Sequence, residues 1–131
     1  MTPRRFFPEQ VKFELKCEPD DIPVRGNAQA SGDDRLDKEC EDRIIAELES
    51  GNQWAWCTVV VEASWAAFTG WDALGACSYD DERSFREEGG YFRDMVRVAV
   101  EHLLERIRAA GWEVEASNDE IERAVSVGLN M

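Results

Sequence analysis

Carboxylates are the commonest reactive groups in this chain. They come in adjacent sets: Asp20-Asp21, Asp33-Asp34, Asp80-Asp81-Glu82 and Glu87-Glu88. Oxygen donors of this kind suit hard cations, but none of the sets has the spacing of a calcium-binding EF-hand loop. A carboxylate-pair hydrolase needs two carboxyls facing across a cleft, which spacing alone does not define. The thiols are Cys17, Cys40, Cys57 and Cys77, with no CxxC pair and one histidine, His102. Structural zinc uses closely spaced ligand pairs, so buried reduced thiols among apolar neighbours are expected instead. His102 has no assigned Ser or Cys partner for nucleophilic catalysis. A structural or solvent-facing imidazole is expected there, with a general base as the alternative. Gly70, Gly75, Gly89 and Gly90 build neither GxxxxGK[ST] nor GxGxxG. The expectation is a protein with no catalytic residues, no metal ligands and no cofactor. A metal-dependent enzyme using scattered carboxylates is the weakest alternative.

Collectively the carboxylates carry more information. Twenty-eight Asp and Glu stand against fifteen Lys and Arg, a net charge of -13 on 131 residues. Such a surface repels nucleic acid and anionic membrane and attracts basic proteins. With 44% hydrophobic residues, five Trp, six Phe and two Tyr, this is a folded chain and not a disordered acidic tail. No apolar run approaches the length of a membrane span, and Met1 to Pro8 lack a signal-peptide core. A cytoplasmic location is expected.

The elements that would position these groups follow from periodicity. Residues 10–17 alternate, with Val11, Phe13, Leu15 and Cys17 on one side, which predicts a strand. Residues 22–30 carry turn formers and no period, which predicts a long ordered loop. Ser31 is the expected N-cap of a helix running to Ser50, with Leu36, Cys40, Ile44 and Leu48 as its buried stripe and Glu41 and Asp42 facing away. Trp54 to Phe68 and Trp71 to Tyr79 read as a hairpin turning at Thr69-Gly70, with Gly75 marking a bulge or close approach. Trp54 and Trp56 on one strand face, and Cys57, Val59 and Val61 on the other, predict a strand apolar on both sides. Phe92, Val96, Ala99, Leu103 and Ile107 mark the longest helix. Trp112 to Ala116 alternates as an edge strand, and Ser117 with Glu120 is a capping box for a last helix.

The expected fold is α+β: an antiparallel or mixed sheet of three to four strands, helices on one face, the βαββαβ order of a ferredoxin-like sandwich, and a short C-terminal helix. One domain over residues 1–131 is expected, with 1–9 as a flexible N-terminal segment.

Several stretches resemble small acidic proteins of tailed phages and prophages. They are Asp20 to Ala28, Ser31 to Asp34, Trp54 to Cys57, Leu74 to Tyr79, and Gly90-Tyr91. The resemblance covers about residues 11–105 and brings no functional residues with it. It implies a phage or mobile-element setting, where acidic inhibitors of host defence of the anti-CRISPR or anti-restriction type present carboxylates in place of phosphates. On this reading the partner is a host protein or complex with a basic, nucleic-acid-binding surface. The carboxylates that would meet it are Asp33, Asp34, Asp37, Glu41 and Asp42, together with Asp80, Asp81, Glu82, Glu87 and Glu88. Reversing Asp33, Asp34 and Asp37 is expected to abolish inhibition while leaving the fold intact. The alternative is a phage accessory protein that forms a homodimer or larger homo-oligomer through the second apolar sheet face.

Overall fold

A computed structural model describes residues 4–28 and 31–131; the part of the expected loop at Gln29 and Ala30 lies outside them. The fold is α+β, with strands β1 (Arg4–Arg5), β2 (Lys12–Pro19), β3 (Cys57–Trp65), β4 (Phe68–Cys77) and β5 (Val114–Glu115). The helices are α1 (Asp34–Glu49), α2 (Glu82–Glu88), α3 (Phe92–Ala109) and α4 (Asn118–Leu129). Strands β2, β3 and β4 form an antiparallel sheet in that order. The fourth strand expected of a ferredoxin-like sandwich does form, but outside this sheet: β5 pairs in parallel with β1, Arg4 opposite Val114 and Arg5 opposite Glu115.

The chain divides into two compact units. Unit 1 comprises residues 1–15, 61–73 and 90–131; unit 2 comprises 16–60 and 74–89.

Unit 1 is built on α3. Its apolar residues recur every three to four positions, and Phe92, Met95, Val96, Ala99, Val100, Leu103, Leu104 and Ile107 are all buried. Helix α4 packs on α3, and its Ser117–Glu120 capping box forms as expected. At Gly128 any Cβ would lie 2.5 Å from Val96 Cγ1, so the small residue sets the close approach of these two helices. Of the expected N-terminal segment, residues 4–9 are described, and they belong to this unit. Phe6 is 0% exposed, its ring set edge-on to Trp65 at 5.3 Å.

Unit 2 gathers Val24, Ile44, Ala55 and Trp56 into a core, with Cys40, Ile45 and Leu48 packed against it. Within the described part of the loop after β2, residues 22–28, Trp56 Nε1–H donates to Ile22 O at 2.7 Å. Two readings change here. Helix α1 is capped by Asp33, not Ser31; of its expected stripe Cys40, Ile44 and Leu48 do face this core, but Leu36 is 52% exposed and Glu41, expected to face away, is 8% exposed. Trp54 sits in a 3-10 turn at Gln53–Ala55 and Trp56 ends it, so neither lies on β3. The second face of β3, at Thr58, Val60, Glu62 and Ser64, is polar at three of these four positions and half-buried. It is not the doubly apolar strand that the sequence predicts.

Candidate functional site

All ten candidate carboxylates fall in unit 2, and most are engaged by the fold itself. Asp33 Oδ1 accepts from Arg35 N and Leu36 N at 3.0 and 3.3 Å. Asp37 Oδ1 accepts from Ser31 Oγ and Ser31 N at 2.6 and 3.1 Å. Glu41 reaches back to the loop, with Oε2 accepting from Gly26 N at 2.7 Å and Oε1 from Arg25 Nη1 at 3.3 Å. Asp42 Oδ1 accepts from Arg25 Nη2 at 2.5 Å, and that bond holds its carboxyl below the usual range.

In the second group, Asp81 caps α2 through Ser84 N at 2.8 Å, and Glu88 accepts from Ser84 Oγ at 2.8 Å. Glu82 pairs with Arg86 and Glu87 with Arg83, each one helical turn apart. Among the described residues, only Asp34 and Asp80 of the ten are exposed with a carboxylate that accepts no hydrogen bond and makes no ion pair; the Asp80 carbonyl accepts from Asn52 Nδ2 at 3.1 Å. The triple reversal of Asp33, Asp34 and Asp37 would therefore remove a helix cap and a loop tie. Losing a helix cap costs about 0.5–2 kcal/mol, so the reversal is expected to lower stability.

These bonds do not neutralise the unit. Unit 2 holds seven Lys and Arg against sixteen Asp and Glu, a net of -9. Unit 1 holds eight against twelve, a net of -4. Coulomb's law acts on this surplus whatever the local pairing.

The reactive side chains are individually quiet. Burial pushes the thiols of Cys17, Cys57 and Cys77 up from their ordinary value, which keeps them protonated and weakly nucleophilic at neutral pH. His102 Nδ1 lies 3.0 Å from Trp71 N and 3.2 Å from Trp71 O, its ring edge-on to the indole at 4.5 Å. That contact ties α3 to β4 within unit 1. Among the described residues, no group of three or more His, Cys, Asp or Glu could hold a metal ion. No helix among them is long and apolar enough to cross a membrane.

One concave feature in unit 1 was not anticipated from the sequence. A cavity of about 850 Å³ is lined by the rings of Phe7, Trp65, Phe68 and Trp112. Arg4, Arg5 and Lys12 line it as well, and no Asp or Glu does. The Arg4 guanidinium stacks 3.9 Å above the Trp112 ring, and that of Arg5 lies 5.4 Å from the Phe7 ring. The signal for it was the run Arg4-Arg5-Phe6-Phe7, cations next to aromatics, which the missing apolar stretch disguised as a loose terminus.

Compared with known proteins, the chain matches no family model, no curated protein and no solved structure.

Proposed function

We propose that this chain is a non-catalytic binding protein. Its acidic unit 2 docks on a basic protein surface of the kind that otherwise holds nucleic acid, as in a phage-type inhibitor of a host defence complex. The observation that supports this reading is the charge division: a net of -9 on one unit of 61 residues. Seven cations against sixteen carboxylates leave a surplus that no internal arrangement of the unit neutralises. Many of the carboxylates are held in fixed positions by caps and ion pairs, so less rotamer entropy is lost when a partner is met. Long-range attraction would speed encounter and make it sensitive to salt.

The test is capture from a host-cell lysate on the immobilised protein, followed by elution with a duplex DNA oligonucleotide at constant ionic strength. Proteins released by DNA, and captured less by an Asp34→Lys/Asp80→Lys variant, are expected. If duplex DNA releases none of the captured proteins, or the variant captures them equally, the reading fails.

A further inference from the structure

The geometry points to unit 1 as the receptor for a small aromatic anion, seated in the cavity between Trp65, Phe68 and Trp112. This assignment does not depend on the acidic unit. Its volume, about 850 Å³, falls within the range of small-molecule sites, which are mostly apolar with a few placed polar groups. Four aromatic rings supply flat walls for stacking, and the buried side chain of Ile107 adds an aliphatic surface. Exposure of such rings is costly in water: Phe7 remains 42% exposed and Trp112 39% exposed.

Charge selects the ligand. In a chain of net charge -13, a lining with three cations and no carboxylate is a local reversal of sign. Among the described residues, Arg4 and Lys12 form no ion pair, while the charge of Arg5 also acts on Glu9 and Glu120. A guanidinium stacked on a ring keeps its in-plane N–H donors for a carboxylate, sulfonate or phosphate. The other side of Arg4 and Arg5 opens on a shallower hollow lined by Glu115, Glu120 and Arg123. An anion is therefore favoured on the aromatic side, where no carboxylate faces it. A nucleic-acid strand is disfavoured, because its many phosphates would meet the surrounding negative field.

Two fluorescent probes with the same ring system separate the causes. 1-Anilinonaphthalene-8-sulfonate carries the anion; N-phenyl-1-naphthylamine lacks it. Titration of the full chain is expected to give one saturable sulfonate site, at least about tenfold tighter than for the neutral probe, as a charge-assisted hydrogen bond would give. An Arg4→Gln/Lys12→Gln variant is expected to lose about that tenfold for the sulfonate and to hold the neutral probe as before. Ala67→Trp, placed at the exposed rim, is expected to block both probes by filling the cavity. Melting temperatures check that each variant is folded, and if Ala67→Trp melts early the charge variant decides alone. Equal affinity for the two probes, or a folded charge variant that binds the sulfonate as tightly as the parent chain, overturns the proposal.

Discussion

Asp20 is a loop staple. Its Oδ2 accepts from Ala76 N at 2.5 Å and its Oδ1 from Ile22 N at 2.8 Å. Ala76 has a left-handed φ of 53°, a conformation that costs a non-glycine residue about 1–2 kcal/mol, so the bond from Asp20 holds a strained backbone in place. The bond to Ala76, followed by that to Ile22, lowers the carboxyl from its ordinary value. A group whose pKa is depressed by folding stabilises the fold above its unfolded value and loses that contribution as pH falls through the folded value. The stability gap between the parent chain and Asp20→Asn is therefore expected to be constant above about pH 5 and to shrink below about pH 4. Urea midpoints measured from pH 7 to pH 2 check this; a gap that does not change with pH would remove the carboxylate from the account. Asp20-Asp21 was legible in the sequence as a pair of oxygen donors. That one of them binds its own backbone was not, because Ala76 lies on the far side of the fold's sequence.

At the scale of elements, period and capping were enough to locate α1, α3 and α4. In α3 every expected core position is buried. The hairpin shows where such signals mislead. Thr69-Gly70 reads as a turn, yet the chain turns at Ala66 and Ala67, with φ of 54° at Ala66. The cross-strand contact of Ser64 Oγ with Thr69 Oγ1 at 3.0 Å fixes that register. Gly70 is needed elsewhere: a Cβ there would fall 2.1 Å from Leu103 N and 2.6 Å from Ala99 O, both backbone atoms of α3. Backbone cannot swing aside as a side chain can, so Gly70→Ala is expected to destabilise by about 3 kcal/mol or to prevent folding. A Cβ at Gly75 would meet side chains alone among its nearest neighbours, Asp20 Oδ2 at 3.3 Å, Ile22 Cδ1 at 3.7 Å and Thr58 Oγ1 at 3.9 Å, and Gly75→Ala is expected to cost less than about 1 kcal/mol. Chemical denaturation of the two variants compares them directly, and equal losses would refute the close-approach account. The same limit hid part of the buried face of α1. Its periodicity placed Cys40, Ile44 and Leu48 correctly but also marked Leu36 for burial and Glu41 for solvent; Glu41 is instead held in by Gly26 N and Arg25, partners that no local pattern connects to it.

For the whole molecule, the net charge of -13 is a cost as well as a clue. Like charges at this density repel in the folded state, and salt screens them within a Debye length of about 10 Å at 0.1 M. The melting temperature is therefore expected to rise between 10 mM and 500 mM sodium chloride. Asp80 sharpens the argument, because it is exposed in unit 2 and its carboxylate holds neither a cap nor an ion pair among the described residues; Asp34, in the first turn of α1, also meets the positive end of the helix dipole. If the Asp80 charge served the fold, reversing it would destabilise. If it only adds to the surplus, Asp80→Lys is expected to match or exceed the parent chain's melting temperature at low salt, and to lose that margin at high salt. The same variant is expected to capture less basic partner. Stability gained where binding is lost is the pattern of groups retained for function at the expense of the fold. A variant that melts earlier at low salt would instead place this carboxylate among the structural ones.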